Sequence, residues 1–263
     1  MGSVEKRRMC PNCRAFVTTD DRVCPYCDMQ LGPPARDLRS AGAALGGLIP
    51  QAYLTTVMIL GINFALYLVD ALSSGDMIKA SGASLPWPMH GQYYRLVTAG
   101  FLHGNVFHIL MNSWVLFSLG TEVEQLYDTS RLIVFYFVST VTGFLASSLF
   151  GHVSLGSSAG IFGLIGAMLA FGFLDKSNLA LAVRAHYGQW AVFALVMSFF
   201  PGTDYMAHFG GLAGGALMGA ILSTPRARLM WKEPAIRGAA GVCLAITALC
   251  FGQMILNLMA RPA

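Results

Sequence analysis

Four polar side chains lie within or at the start of stretches of sequence that are otherwise apolar. His108 and Asn112 are four residues apart, Ser158 follows a Gly-Ser pair, and His208 precedes a glycine-rich run. Residues four apart project from the same face of a helix. A serine and a histidine within about 2.6–3.2 Å of each other form the nucleophile–base pair of covalent catalysis. The sequence therefore raises the question of whether its fold brings these side chains together.

Each of these residues has an ordinary explanation when it is taken alone. A serine in a membrane helix usually bonds to a carbonyl of its own helix, and an asparagine often joins two helices. A histidine inside an apolar span is energetically costly, which makes it a candidate for function. The combination of the four is more informative than any one of them.

The composition indicates a protein that crosses a membrane several times. Of the 263 residues, 55% are hydrophobic and only 11% are charged, and the mean hydropathy is +0.58. A soluble domain has about a quarter charged residues. The formal net charge of +4 is explained by basic residues that set membrane topology, so we expect no nucleic-acid partner.

Seven apolar stretches are predicted to cross the bilayer, since about 20 apolar residues span roughly 30 Å of hydrocarbon. They are Tyr53–Leu72, Val106–Thr121, Leu132–Phe150, Ser158–Leu174, Tyr187–Phe200, Tyr205–Leu222 and Gly238–Leu258. The fold class is therefore an all-α membrane protein.

The distribution of Lys and Arg predicts the orientation of these spans. With the N-terminus inside, 14 of the 17 basic residues lie on the inner side and 3 on the outer side, as the positive-inside rule requires. The basic residues at the N-terminus precede no apolar core, so we expect no secretory signal. No organelle-targeting segment is visible, and we expect a multi-pass protein of a bacterial plasma membrane with a cytoplasmic N-terminus.

This topology places the four polar residues at one depth. The second, fourth and sixth spans all run from outside to inside, and the four side chains lie within about 10 Å of their outer ends. Glycines at small-xxx-small spacing allow the helix backbones to approach closely: Gly160, Gly163 and Gly166 in the fourth span, and Gly210, Gly211, Gly214, Gly215 and Gly219 in the sixth.

Four cysteines ahead of the spans have the spacing of a zinc ribbon. Cys10 and Cys13 form one CxxC pair, and Cys24 and Cys27 form a second pair ten residues later. Four thiolates make a closed tetrahedral site for a structural Zn²⁺. Two disulfides are the alternative, but these require an oxidising compartment and the segment is predicted to be cytosolic. The ribbon's partner is unknown from the sequence.

The sequence thus divides into four parts. Residues 1–30 are the ribbon, and residues 31–51 are a Gly/Pro/Ala-rich linker of the flexible kind. Residues 52–222 form a core of six helices, and residues 223–263 contain a cytoplasmic loop and a seventh transmembrane helix.

From about residue 52 to residue 222 the sequence resembles the rhomboid family of intramembrane serine proteases. The family's motifs match His108-Ile-Leu-Met-Asn112, Gly156-Ser157-Ser158-Ala159 and His208-Phe-Gly-Gly. Tyr94-Arg95 is similar to the first-loop Trp-Arg motif, and Gly120–Glu124 resembles the element that ends the second helix. Two residues depart from the pattern: Ala159 stands in place of Gly, where its methyl group is expected near the oxyanion site, and Tyr94 stands in place of Trp.

The resemblance implies a role for each site residue. Ser158 would be the nucleophile and His208 the general base of a dyad that needs neither a carboxylate nor a cofactor. Asn112, His108 and the Ser158 backbone N–H would stabilise the oxyanion, and the Phe162 ring would pack against the histidine. Asp204, one turn before His208, is expected at the water interface.

The resemblance also implies the substrates. They would be single- or multi-span membrane proteins whose helices unwind locally in the lipid bilayer, at a site that opens to the outer face.

Three other functions fit parts of the sequence. Gly156–Gly160 also matches the Gly-x-Ser-x-Gly elbow of α/β-hydrolases, but that motif needs a preceding strand in a soluble chain. A rhomboid-like protein without activity would bind membrane clients, although such proteins are expected to lack the serine or the histidine. A transporter would explain intramembrane polar residues, but it predicts repeated halves, which the sequence does not show.

Overall fold

The structure is a computed structural model that describes residues 7–10, 13, 15–18, 21–31, 53–73, 77–222 and 233–260. The chain forms two compact units, Met1–Gln51 and Ala52–Ala263. The predicted linker lies outside the described residues from residue 32 onward, as does most of the predicted loop after residue 222.

The first unit is a small ribbon built on two short strands. Strand β1 (Arg7–Met9) pairs antiparallel with β2 (Phe16–Thr18), with Arg8 opposite Val17. Between the strands, the Cys10 N–H donates to the Ala15 carbonyl, and after them the Cys24 N–H donates to the Met29 carbonyl. Leu31, the first residue of the predicted linker, packs with Val17 and two cysteines in the ribbon's core.

The described part of the second unit is helical. Its α-helices are α1 (Leu54–Leu72), α2 (Met77–Gly82), α3 (Arg95–Thr98), α4 (Val106–Leu126), α5 (Thr129–Leu149), α6 (Ser158–Leu174), α7 (Asn178–Met197), α8 (Tyr205–Leu222) and α9 (Glu233–Met259). Six of them, α1, α4, α5, α7, α8 and α9, are long and apolar enough to cross a membrane, and α6 is a shorter apolar helix of 17 residues. The predicted all-α membrane fold is therefore confirmed.

Several helices extend beyond their apolar stretches into polar sequence. Helix α7 begins at Asn178 rather than Tyr187, because Ser177 caps it by accepting the Ala180 N–H. The added turns mix apolar side chains with Arg184 and His186, which interrupt the hydropathy signal. Helix α4 continues past Thr121 to Leu126. A span predicted from hydropathy ends where the apolar stretch ends, whereas a helix continues until a capping residue ends its backbone hydrogen bonding.

Helix α6 is enclosed by its neighbours α5, α7 and α8, and most of its side chains are buried. Glycines make this possible, as predicted. A Cβ atom on Gly211 would strike the Ala159 carbonyl of α6, and one on Gly215 would strike the Gly163 carbonyl. On the adjacent face of α8, a Cβ on Gly210 would lie 2.7 Å from the Thr142 carbonyl of α5. The backbone of α8 therefore approaches the backbones of α5 and α6 closely.

Carboxylates hold the helix ends at the opposite side of the bundle from the polar cluster. Glu124, at the end of α4, accepts hydrogen bonds of 3.1 Å from the Thr55 and Thr56 N–H groups at the start of α1. Arg131 of α5, which is fully buried, forms an ion pair of 2.6 Å with Glu233 and a second ion pair with Asp128. The pair with Glu233 fixes the beginning of α9 to α5.

The segment between α1 and α4 folds around Arg95, which is 2% exposed. Its guanidinium donates to the Ala83 carbonyl at 2.7 Å and to Gln92 Oε1 at 2.7 Å. The neighbouring Tyr94 hydroxyl donates to the Ser81 carbonyl at 3.0 Å. Tyrosine at this position therefore helps to hold the loop through its own hydroxyl.

Candidate active site

Ser158 and His208 come together at one end of the helical bundle. Ser158 is the first residue of α6 and His208 lies in the first turn of α8. Ser158 Oγ and His208 Nε2 lie 2.9 Å apart, which is a hydrogen-bond distance. The glycine contacts between α6 and α8 make this approach possible, because larger residues at those positions would separate the two helices.

Two further contacts hold the imidazole of His208. The ring stacks on Phe162, with centroids 4.2 Å apart and planes 10° from parallel, as the resemblance implies. His208 Nδ1 lies 2.7 Å from Ser198 Oγ, at the end of α7. Ser198 was not among the residues predicted for the site.

His108 and Asn112 lie against the backbone just before Ser158. Gly156 has φ +131°, and a Cβ atom there would be 2.7 Å from His108 Nε2 and 3.4 Å from Asn112 Nδ2. Asn112 Nδ2 is buried and has no hydrogen-bond partner among the residues that the structure describes. An unpaired buried donor is energetically costly, so this amide is suited to a group that arrives with a substrate.

His103 is a third histidine in this cluster, and it was not among the residues predicted for the site. Its side chain is buried, its ring centroid lies 5.1 Å from that of His108, and its Nε2 lies 3.2 Å from Ser157 Oγ. Burial, together with the nearby His108, lowers the pKa of His103 to about 3. The ring is therefore neutral at physiological pH and is a hydrogen-bonding group rather than a charge.

Asp204, the nearest candidate for a third member of a triad, has other partners. Its carboxylate accepts from the Ser147 hydroxyl, from His152 Nδ1 at 2.9 Å and from the Met206 and Ala207 N–H groups. Burial opposes ionisation, but these hydrogen bonds outweigh it and lower the pKa of Asp204. Asp204 therefore caps α8 as a carboxylate.

The methyl group of Ala159 takes part in helix packing. Ala159 is fully buried in a cluster with Ala99, Phe144 and Ala207. A Cβ atom built on Gly143 of α5 would come within 2.7 Å of it. The structure gives this methyl group a packing role, in which the glycine on α5 accommodates the alanine on α6.

The four ribbon cysteines have the geometry of a metal site. Their sulfur atoms all lie within 4.8 Å of one another, with Cys10 Sγ 3.7 Å from Cys27 Sγ and Cys13 Sγ 3.6 Å from Cys24 Sγ. A tetrahedron with Zn–S bonds of about 2.3 Å has edges of about 3.8 Å. These separations are too long for disulfides, whose sulfur atoms lie about 2.0 Å apart. The donor set therefore fits a tetrahedral metal ion.

Comparison with known proteins connects this geometry to a family. Residues 90–225 match the model of the Rhomboid domain, which covers the segment that contains all the polar residues of the site. The chain is similar to the Rhomboid protease GluP of Bacillus subtilis, with 32% identity over 148 residues, which is 54% of this chain and 29% of the relative.

Two eukaryotic relatives extend the comparison. RHOMBOID-like protein 4 of Arabidopsis thaliana is 35% identical over 134 residues, covering 49% of this chain and 34% of the relative. Rhomboid-like protease 1 of Toxoplasma gondii is 26% identical over 262 residues, covering 88% of this chain and 89% of the relative. The matched segment spans only about a third of the length of GluP and of the Arabidopsis protein. The family model covers more than half of the chain, and the protein belongs to the rhomboid family.

Proposed function

We propose that this protein is an intramembrane serine endopeptidase that cuts membrane-protein substrates with Ser158 and His208. The observation that carries the proposal is the 2.9 Å distance between Ser158 Oγ and His208 Nε2, at the start of two helices in a bundle of membrane-spanning length. The names of the relatives, which describe rhomboid proteases of Bacillus subtilis and Toxoplasma gondii, support the same function.

In this mechanism Ser158 Oγ attacks the scissile carbonyl carbon while His208 Nε2 accepts the hydroxyl proton. The imidazolium then returns that proton to the leaving amine as the C–N bond breaks, and water hydrolyses the acyl-enzyme by the same two steps. His108, Asn112 Nδ2 and the Ser158 N–H are the donors proposed for the oxyanion, since preorganised donors stabilise the tetrahedral intermediate. The Phe162 ring limits the rotation of the imidazole during both proton transfers.

The position of the site gives water a route to it. His108, Ser158 and His208 all lie in the first turn of their helices, α4, α6 and α8, so the dyad is within about one helical turn of the helix ends that face one membrane surface. By the positive-inside rule this is the outer surface of a plasma membrane, and the N-terminus is cytoplasmic.

We further propose that the ribbon cysteines hold a structural Zn²⁺. Four thiolates leave no open coordination position, so the ion would stabilise the ribbon and take no part in hydrolysis. A segment of about 30 residues buries too little apolar surface to fold without such support.

Cleavage of a single-span substrate in proteoliposomes tests the function. Wild type, Ser158→Ala and His208→Ala are compared, with Ser148→Ala as the matched control. Ser148 is also a buried serine, and its hydroxyl has no hydrogen-bond partner in the described part of the chain. We expect wild type and the control to cut and both dyad variants to be silent.

Two results would contradict the proposal. Cleavage by Ser158→Ala would show that another nucleophile acts. Wild type that neither cuts a panel of single-span substrates nor reacts at Ser158 with a fluorophosphonate would indicate a protein that binds membrane clients instead.

A further inference from the structure

We propose that Ser198 is a positioning residue that sets the tautomer of His208, an inference that rests on the proposed peptidase function. Ser198 Oγ lies 2.7 Å from His208 Nδ1, the ring nitrogen opposite the one that contacts Ser158. Ser198 is 1% exposed, so water does not compete for this bond. The site thus contains a chain of three side chains, Ser198–His208–Ser158, with the imidazole in the middle.

The hydrogen bonds of Ser198 determine which ring nitrogen of His208 carries the proton. The Ser198 hydroxyl carries one proton, and we assign that proton to the 2.8 Å bond with the Ala194 carbonyl, because a carbonyl can only accept. The oxygen is then left as an acceptor, so the N–H at the 2.7 Å contact belongs to His208 Nδ1. In a neutral imidazole this leaves the lone pair on Nε2, facing Ser158 Oγ. That tautomer is the one that can accept the serine proton.

The backbone around Ser198 is held independently of the hydroxyl. The Ser198 N–H donates to the Ala194 carbonyl at 2.9 Å, and the Thr203 hydroxyl donates to the Ser198 carbonyl at 2.6 Å. These bonds fix the turn that ends α7. The hydroxyl can therefore be removed by mutation while the turn keeps its other bonds.

A hydroxyl is suited to this position for a physical reason. A carboxylate would bring a charge into a buried, apolar site, where an unpaired charge is far more costly than a neutral hydrogen-bonded group. The carboxylate of Asp204, four residues before His208, is occupied by Ser147, His152 and the start of α8. Ser198 orients the ring without adding a charge.

Kinetics of three variants test the inference. We expect Ser198→Ala to lower kcat about tenfold, the loss expected from one hydrogen bond that acts in the transition state, with KM unchanged. Ser198→Thr keeps an acceptor oxygen and should restore most of kcat. The control, Thr203→Val, loosens the same turn without touching His208 and should stay within about twofold of wild type.

A spectroscopic measurement reports the tautomer without relying on activity. In protein labelled with ¹⁵N-histidine, His208 should show a protonated Nδ1 and an unprotonated Nε2 in wild type, and a mixture of tautomers in Ser198→Ala. The His208→Ala spectrum assigns the signals. Thermal unfolding of the same samples shows whether any variant has lost its fold.

Three results would overturn the inference. They are wild-type kcat in Ser198→Ala, a wild-type spectrum with the proton on His208 Nε2, and a kcat loss in Ser198→Ala that Thr203→Val reproduces equally. The failure of the peptidase proposal looks different. In that case wild type would be silent in cleavage and in fluorophosphonate labelling, while the spectrum would still report whether Ser198 holds the Nδ1 proton.

Discussion

Replacing Gly156 by alanine should slow cleavage at least about a hundredfold while most of the fold is retained. Gly156 adopts φ +131°, a conformation that costs an L-residue about 1–3 kcal/mol. An alanine Cβ would also lie 2.7 Å from His108 Nε2 and 2.8 Å from His108 Cε1. Because these atoms are at the tip of the His108 side chain, the ring would move rather than the helix.

The expected loss of activity follows from that movement. Removing one oxyanion donor lowers kcat by about 10²–10³, and the displaced His108 ring is one of the proposed donors. Asn112 Nδ2, 3.4 Å from the same Cβ position, would be in ordinary van der Waals contact with it. We therefore expect kcat to fall at least about a hundredfold, with a loss of stability of about 1–3 kcal/mol from the backbone.

Gly151→Ala is the matched control. Gly151 lies in the same connection between α5 and α6, has φ +83°, and would place its Cβ in open space, with no atom within 4 Å. It should therefore lose a similar amount of stability but keep its cleavage rate within about twofold. The assay is cleavage of a single-span substrate in proteoliposomes, with thermal unfolding of both variants measured alongside.

Equal activity in the two variants would refute the reasoning. If Gly156→Ala cut as fast as Gly151→Ala, the contact between position 156 and His108 would have no part in catalysis. If both were inactive, backbone strain in this connection would be sufficient to explain the loss.

Three further predictions concern other parts of the chain. The pKa of His103 is lowered to about 3, so between about pH 6.5 and pH 3 the unfolded chain binds a proton at this histidine that the folded chain does not. The unfolding temperature should therefore decrease as the pH is lowered through that range, and it should decrease less steeply in His103→Gln. Elemental analysis should find one zinc ion per chain, and Cys24→Ser should lose it. Ala159→Gly removes only a packing methyl, so cleavage should stay within about twofold while the unfolding temperature falls; a large change in kcat would place that methyl in the site.

The helices were readable from the sequence because apolar runs of membrane length have one physical solution, a helix that satisfies its own backbone. Their ends were less readable. Glu122 lies just outside the second predicted span, and Tyr187 is the first residue of the fifth. Both residues are helical, and the Tyr187 hydroxyl donates to the Glu122 carboxylate at 2.9 Å. Hydropathy does not detect a polar residue that is paired with a residue of a distant helix.

Part of the site could be predicted because its polar residues interrupt apolar sequence. His108, Asn112 and His208 stand out because polar side chains are rare inside apolar spans. Ser198 did not, since a hydroxyl at the end of a span is common and bonds to its own helix. One signal was available: the turn between the fifth and sixth predicted spans is short, so a residue ten positions before His208 must lie at a similar depth.

The N-terminus of α6 shows why this arrangement needs residues beyond the dyad. The first bond of the helix runs from the Ile161 N–H to the Ser157 carbonyl, so the N–H groups of the preceding helical residues have no acceptor within the helix. A serine at the N-cap usually satisfies one of them with its hydroxyl. Ser157 makes no such cap, and its Oγ lies 3.2 Å from His103 Nε2 instead. We infer that His103 keeps the Ser157 hydroxyl away from these N–H groups, which leaves them, with the positive end of the helix dipole, available to an oxyanion formed at Ser158.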